Sequence, residues 1–152
     1  MRKRHAVSNT SCLIAFEAIG RLDLLRKLYS SILLPPAVVT EWGMAIPVGM
    51  SVQAVQDHLF VQKLSRNLGP GEAEAIVLAR ETAARRIILD DNRARRMAER
   101  MKLPVTGCLG MLIRAKRLKH VATVKPLLDD LIAVGLYVGD DLYQDVLRRV
   151  GE

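Results

Sequence analysis

In this 152-residue chain, acidic residues lie directly after a predicted strand or at the start of a predicted helix, at positions where they could hold a metal ion. Asp90 and Asp91 come directly after an apolar, strand-like segment, and Glu72 begins a helix rich in alanine. The carboxyl ends of strands in open parallel α/β sheets form the crevice in which ligands bind. Carboxylates in such a crevice suit hard cations such as Mg²⁺ or Mn²⁺, which activate water and neutralise charge in phosphodiester cleavage.

Two further candidates are Asn9, which follows another predicted strand, and Glu41, on the helix after a third. An ordinary structural role stays open for every one of these residues. A double Asp before a helix commonly caps the helix and interacts favourably with its dipole, and the chain repeats the pattern at 129–130 and 140–141. Glutamates in a first turn or on a solvated helix face are equally ordinary. The residue pattern alone therefore leaves both a metal site and simple helix capping open.

Other chemistry-bearing residues show no recognisable spacing. His5, His58 and His120 do not form a metal-binding motif, and the sequence contains no nucleophile elbow, Walker loop or dinucleotide-binding glycine motif. Cys12 and Cys108 lie in apolar stretches without a C-x-x-C partner. We expect them to be reduced core residues rather than zinc ligands.

Basic residues concentrate in one part of the chain. The protein has 23 Lys plus Arg against 16 Asp plus Glu, a formal net charge of +7, and residues 85–119 hold eleven of the basic and three of the acidic residues. Such a segment attracts polyanions, so a nucleic acid is one interpretation, and a solvated helix face is the other. Aromatic residues make up 4% of the chain, which argues against a surface that binds mainly by stacking bases.

Strand-like and helical segments alternate along the chain, which is typical of βαβ units and of an α/β fold with a parallel sheet. Half of the residues are hydrophobic, and we expect one domain over residues 1–152 with a helical tail at about 120–152 packed on it. The pattern predicts strands at residues 6–9, 32–34, 87–89 and 103–106, helices at 10–20, 22–28, 36–42, 72–83, 92–101, 107–113, 124–133 and 141–150, and a loose connection at 43–58 with a short helix at 52–58.

The sequence contains no apolar run near the roughly 18 residues of a membrane span. The basic start at residues 1–5 resembles the charged region of a signal peptide but runs into polar residues without a long apolar core. We therefore expect a cytoplasmic protein that is not exported.

Four segments, taken together, resemble the motifs of a known family. They are residues 7–14 (VSNTSCLI), 34–41 (LPPAVVTE), 69–76 (GPGEAEAI) and 88–95 (ILDDNRAR). In order and spacing these segments resemble the four motifs of the PIN-domain family, in particular uncharacterised prokaryotic members related to VapC-type toxins. The resemblance covers essentially the whole chain, including residues 105–116 and the helical tail.

The resemblance implies a three-layer fold with a central parallel sheet of four to five short strands flanked by helices, and a Mg²⁺- or Mn²⁺-dependent ribonuclease. By position in the motifs, the metal-binding and catalytic residues correspond to Asn9, Glu41, Glu72 and Asp91, with Asp90 as the alternative to Asp91 and with Thr10 and Ser11 supporting the first position. The family usually has Asp where this chain has Asn9 and Glu72. An Asn carbonyl oxygen binds a metal but brings no charge, so the metal affinity should fall.

The resemblance also implies partners. RNA is expected to follow the basic helix that starts beside the site, along Arg93, Arg95, Arg96 and Arg100. An acidic antitoxin segment and a second copy of the chain, in a homodimer, are further expected partners. The leucines at 22–28 support a homodimer only weakly, since the same pattern serves a core helix. The alternative function is a catalytically silent PIN-like module that binds RNA or a protein, which the neutral Asn9 favours.

Overall fold

The computed structural model describes residues 5–152, which form a sheet of five parallel strands in the order β3-β2-β1-β4-β5. The strands are β1 (His5–Ser8), β2 (Ser31–Leu34), β3 (Met50–Val52), β4 (Arg86–Ile88) and β5 (Val105–Thr106). The helices are α1 (Thr10–Ala18), α2 (Asp23–Leu28), α3 (Pro36–Trp42), α4 (His58–Leu64), α5 (Pro70–Glu81), α6 (Asn92–Arg100), α7 (Cys108–Arg117), α8 (Lys125–Ala133) and α9 (Asp140–Arg149). Within residues 5–152, no helix is long and apolar enough to cross a membrane.

The central strand β1 is buried along its whole length, because helices cover both faces of the sheet. β1 pairs with β2, where Val7 lies opposite Leu33, and with β4, where Val7 lies opposite Ile87. Parallel strands that are buried on both faces form continuous apolar runs. The apolar residues of β1 and β4 agree with their central place in the sheet.

Alternate side chains of these two strands enter two separate hydrophobic cores. Ala6 and Ile88 join a core formed with α1, α2, α3, α7, α8 and α9, whereas Val7 and Ile87 join a core formed with α4, α5 and α6. This division follows from the strand period of two, which sends successive side chains to opposite faces. The sheet and the helices on its two faces form three layers, so the expected α/β fold class is confirmed.

The prediction for residues 43–58 is wrong. In place of a loose connection with a short helix, the chain forms the edge strand β3, and α4 begins only at His58. Only Met50 of the three β3 residues is buried, so no apolar pattern marks this strand. Asp57 caps α4 by accepting the Phe60 backbone N–H at 3.1 Å, which sets the start of the helix.

The leucines of α2 are core residues. Leu24, Leu25 and Leu28 are buried, so they do not support the expected homodimer.

Most of the other predicted strand and helix limits agree with the structure to within one or two residues. The signal-like start falls mainly on residues 1–4, which lie outside the described residues.

Candidate active site

The pairing of β1 with β4 brings the first and last motifs to the same edge of the sheet. Asn9 directly follows β1, and its backbone N–H donates a hydrogen bond of 3.1 Å to the Ile88 carbonyl at the end of β4. Asp90 and Asp91 follow Ile88 after one residue. The polar residues of both motifs therefore leave the carboxyl ends of neighbouring parallel strands, where α/β sheets bind ligands.

Asn9 is buried, with 1% of its surface exposed, and caps α1. Its Oδ1 accepts a hydrogen bond of 3.4 Å from the Cys12 backbone N–H. Its Nδ2 has no hydrogen-bond partner among residues 5–152. Buried polar groups are normally paired, so this unpaired N–H group is an exception within the site.

Glu41 lies in the last turn of α3 and is held by two hydrogen bonds. Its Oε2 accepts from the Thr10 hydroxyl at 3.0 Å, and its Oε1 accepts from the Gly71 backbone N–H at 2.8 Å. Thr10 therefore orients Glu41, which is a different contact from the expected support of Asn9. Ser11, the other residue expected in that role, is exposed on α1.

Helices α3 and α5 are joined by two reciprocal contacts. On α5, Glu74 Oε1 accepts the Ala37 backbone N–H at 3.0 Å, in the first turn of α3. In the other direction, Glu41 on α3 accepts the Gly71 N–H in the first turn of α5. Each helix thus receives a carboxylate at its N-terminus, which satisfies a free N–H and favours the helix dipole. The sequence pattern did not single out Gly71 or Glu74 for this role.

The carboxyl groups of Asp91 and Glu41 lie close enough to Glu72 to affect its pKa. The pKa of Glu72 is raised from 4.5 to about 7, first by burial and then by Asp91 and Glu41. Asp91 acts through its charge and through a hydrogen bond with Glu72, and Glu41 acts through its charge. A neighbouring negative charge favours the protonated form of a carboxyl group. Helices α3, α5 and α6 thus bring Glu41, Glu72 and Asp91 together, and we call these three residues the carboxylate group.

Asp91 is a helix cap as well as a member of the carboxylate group. Its Oδ2 accepts the Ala94 backbone N–H at 2.9 Å, at the N-terminus of α6. The capping interpretation is therefore correct for Asp91. While it caps α6, Asp91 also interacts with the carboxyl group of Glu72.

Asp90 faces different side chains from Asp91. Its Oδ2 lies 3.0 Å from Cys12 Sγ and 2.8 Å from Cys108 Sγ, and its Oδ1 accepts the Cys108 backbone N–H at 3.1 Å. The two cysteines are free and buried, as expected, but their sulfur atoms lie 3.6 Å apart, a proximity that no spacing in the sequence indicates. Of the two aspartates, Asp91 is the one that lies with Glu72.

The arginines expected to contact RNA occupy two kinds of position. Arg93, Arg96 and Arg100 are exposed and line a groove of about 300 Å³ beside α6. Arg95 is half-buried, and its guanidinium donates a hydrogen bond of 2.8 Å to the Leu89 carbonyl. Arg95 therefore stabilises the backbone after β4. Arg93, Arg96 and Arg100 form the basic outer face of α6 that the sequence predicts.

The carboxylate group offers ligand atoms of the type that a hard divalent cation binds. Glu41, Glu72 and Asp91 supply the oxygen ligands that Mg²⁺ and Mn²⁺ prefer. The repulsion that raises the pKa of Glu72 is also what a cation between these groups would relieve. The residues present are therefore suited to the metal that the motifs imply.

The raised pKa of Glu72 predicts that the metal-free protein loses stability as the pH rises. Between pH 4.5 and about 7, the native state keeps a proton that the unfolded chain has released. The free energy of unfolding therefore falls with rising pH across this interval. Urea unfolding at several pH values, with a chelator present, measures the effect, and the difference from Glu72→Gln isolates this residue. Equal pH dependence of the two proteins would contradict the raised pKa of Glu72.

The fold and the carboxylate group at the carboxyl edge of its sheet define an α/β domain of the PIN type. The chain belongs to the PIN-domain family, since the family model described as DUF3368, PIN domain, matches residues 5–152. A search of curated proteins finds no match to the chain. Membership of this family indicates a nuclease-type function and a nucleic acid as the ligand.

Proposed function

We propose that this PIN-domain protein is a divalent-metal-dependent endoribonuclease. The observation that carries the proposal is the environment of Glu72, where burial and then the neighbouring Asp91 and Glu41 raise its pKa to about 7. Three carboxyl groups at one edge of a sheet are most easily ionised together when a cation lies between them. A divalent ion in that position suits phosphodiester hydrolysis.

The carboxylate group is assigned to the metal. Glu41, Glu72 and Asp91 would hold Mg²⁺ or Mn²⁺, which, when bound, supplies activation of water and neutralisation of phosphate charge. The Thr10 hydroxyl and the Gly71 N–H hold Glu41 in position before the ion arrives. Such fixed ligands reduce the reorganisation that binding requires.

Asn9 is assigned to the substrate rather than to the metal. Its Oδ1 already accepts the Cys12 N–H, so the free part of its amide is Nδ2. Nδ2 is a hydrogen-bond donor, which suits a phosphate oxygen or a water molecule better than a cation. This assignment differs from the metal-binding role that the motif position implies.

The exposed face of α6 is assigned to the RNA backbone. Arg93, Arg96 and Arg100 lie on this face, and α6 begins directly after Asp91, so the face starts beside the carboxylate group. Arginines that neutralise phosphates release counterions, so binding should weaken as salt increases. Arg95 is left out of this set because its guanidinium contacts Leu89.

The exchange Asp91→Asn tests the metal and the reaction together. Asn caps helices as well as Asp does, so the variant should fold. We expect calorimetric titration with Mn²⁺ to show saturable binding to the wild-type protein that the variant lacks, and metal-dependent RNA cleavage to disappear with it. Asp57→Asn is the matched control, because Asp57 caps α4 and is not part of the carboxylate group. Folded wild-type protein that binds no Mn²⁺, or wild-type cleavage by Asp91→Asn, would refute the proposal.

The neutral Asn9 favours a second candidate function, that of a catalytically silent module that binds RNA or a protein. The exchange Asn9→Asp distinguishes the two, because Asp keeps the cap of α1 and adds a charge at the end of β1. For a nuclease weakened by Asn9, we expect Mn²⁺ binding to tighten roughly tenfold, since a charge a few ångström away contributes about 1 to 4 kcal/mol. Calorimetry and cleavage assays measure the gain. A folded variant that neither binds Mn²⁺ nor cleaves RNA would favour the silent module.

The proposal extends to the setting in which the protein works. We propose a cytoplasmic toxin of a toxin–antitoxin pair, acting as a homodimer, whose basic segment at 85–119 binds an acidic segment of the antitoxin. We also propose that residues 1–152 form one PIN-like domain, since α8 and α9 contribute Leu128 and Leu147 to the same core as α1. A small acidic protein encoded by a neighbouring gene, and bound on co-expression, would support the pairing. A monomer in size-exclusion chromatography, with no such partner, would contradict it.

A further inference from the structure

Cys12, Asp90 and Cys108 form a cluster that the proposed reaction does not use. The two Sγ atoms lie 3.6 Å apart, and Asp90 Oδ2 lies 3.0 Å from the first and 2.8 Å from the second. Both cysteines are fully buried, and Asp90 is half-buried. One sulfur comes from α1, the other from the first residue of α7, and the carboxylate from the chain after β4. Three separate elements thus direct possible metal ligands to one point.

The spacing of these atoms suits a borderline-soft divalent ion. Two thiolates bound to a tetrahedral Zn²⁺ at about 2.3 Å lie about 3.8 Å apart, close to the 3.6 Å between Cys12 and Cys108. The Asp90 oxygen is nearer to both sulfurs than it would be around an ion, because it accepts hydrogen bonds from the thiols. Replacement of the thiol protons by an ion requires this oxygen to move outward by less than about 1 Å.

The carboxylate of Asp90 is already held in the way that metal-binding carboxylates are. Its Oδ1 accepts the Cys108 backbone N–H at 3.1 Å, so that its Oδ2 is directed to the sulfurs. Hydrogen bonds of this kind orient metal ligands and are a regular part of metal sites. The cluster therefore has three ligand atoms and a fixed orientation for one of them.

We propose that Cys12, Cys108 and Asp90 form a second metal site, which binds Zn²⁺ or another ion of the same borderline-soft class. Binding exchanges two thiol protons, which pass to solvent, for one divalent ion held by two thiolates and one carboxylate. Thiolate ligands select such ions, whereas Mg²⁺ and Mn²⁺ prefer oxygen ligands. The cluster and the carboxylate group therefore bind different metals, although Asp90 and Asp91 are adjacent in the chain.

A groove of about 440 Å³ reaches the cluster at Asp90, whereas Cys12 and Cys108 are fully buried. Asp90 and Gly107, the residue before Cys108, line this groove together with Thr106 and Leu109. Three protein ligands leave one position of a tetrahedral ion open, and a water molecule from the groove completes the coordination. The open position therefore lies on the Asp90 side of the cluster, where the groove provides water.

A bound ion would also position Asn9 and Asp91 at the candidate active site, a consequence that rests on the proposed function. Asn9 caps the helix that carries Cys12, and Asp91 adjoins Asp90. An ion that joins α1, the end of β4 and α7 therefore restrains the backbone of both Asn9 and Asp91. Metal binding at the cluster is expected to stabilise the fold against urea, because the unfolded chain does not hold the three ligands together.

Cadmium is the probe, because Cd²⁺ bound to thiolates has an ultraviolet charge-transfer absorption that carboxylate-bound ions lack. In the reduced wild-type protein, we expect this absorption to saturate at one Cd²⁺ per chain, and one equivalent of Zn²⁺ to protect both thiols from alkylation. Cys12→Ser and Cys108→Ser should each abolish the absorption. Asp90→Asn should weaken Cd²⁺ binding by at least about tenfold.

The exchange Glu72→Gln separates the cluster from the carboxylate group. This variant should keep the full thiolate absorption with Cd²⁺ while it loses Mn²⁺ binding, so the two proposals can fail independently. If the folded, reduced wild-type protein shows no such absorption, the cluster is not a metal site, and this result does not depend on how the serine variants fold. Thiols that form a disulfide but bind neither Cd²⁺ nor Zn²⁺ would overturn the proposal in favour of a redox pair. Loss of the absorption in Glu72→Gln would overturn it too, by assigning the ion to the carboxylate group.

Discussion

Exchange of Glu72 for Gln is expected to reduce metal-dependent RNA cleavage by at least roughly 100-fold, the effect of removing one electrostatic group from a catalytic site. Gln keeps the shape of the side chain but removes one of the three carboxylates proposed to hold the ion. Mn²⁺ binding, measured by calorimetry, should be lost in parallel. Both losses follow from the proposed role of Glu72, whose burial and neighbours Asp91 and Glu41 raise its pKa to about 7.

Stability provides the internal control for Glu72→Gln. In the metal-free wild-type protein above about pH 7, ionised Glu72 is repelled by Asp91 and Glu41. Gln carries no charge, so at about pH 8 the variant should unfold at the same or a higher urea concentration than the wild-type protein. A variant that is both inactive and less stable would assign Glu72 a structural role instead, and a fully active variant would remove it from the site.

The exchange Gly71→Ala is expected to inactivate the protein although it replaces none of the proposed metal ligands. A Cβ atom at this position would lie 3.0 Å from both Cδ and Oε2 of Glu41 and still closer to its Oε1. The carboxylate ends a flexible side chain, so it can move away, but it then loses its hydrogen bonds to Gly71 and Thr10. Misplacement of a reacting or ligating group by about 1 Å can lower a rate about 100-fold. Cleavage assays should therefore show a large loss.

Gly69→Ala is the matched control for Gly71→Ala. A Cβ atom at Gly69 would lie 3.6 Å from Glu72 Oε1, an ordinary van der Waals contact, so cleavage should change little. The thermal midpoint of Gly71→Ala should also change little, since Ala favours a helix over Gly by roughly 1 kcal/mol and offsets the local crowding. Equal loss of activity in both variants would indicate that the start of α5, and not the position of Glu41, is sensitive.

Most of the fold could be predicted because its signals are local. Apolar pairs such as Ile87 and Ile88 mark a buried strand, and polar residues such as Thr10 mark the start of a helix, although the residue that caps α1 is Asn9. β3 could not be predicted, since an edge strand with one buried residue has no apolar pattern. Its place depends on pairing with β2, where Ile32 lies opposite Met50, and pairing between distant segments leaves no local trace.

The site could be predicted in its residue types but not in its orientation. Asp90 and Asp91 leave the same strand, and the motif position favours Asp91 but leaves Asp90 open as its alternative. The choice is made by packing, because the Cys108 N–H holds Asp90 on one side while the Ala94 N–H holds Asp91 on the other. For the same reason the Cys12–Cys108 contact, between residues 96 positions apart, follows only from the arrangement of α1 and α7.

The central place of β1 also determines when the site can form during folding. β1 is the first described strand of the chain, yet its neighbour β4 lies far along it, with Ser8 opposite Ile88. Contacts between such distant segments slow folding, because the intervening loop must close before the contacts stabilise it. A chain emerging from the ribosome therefore lacks the carboxylate group until the β1–β4 ladder closes, which makes the site a late product of synthesis and folding.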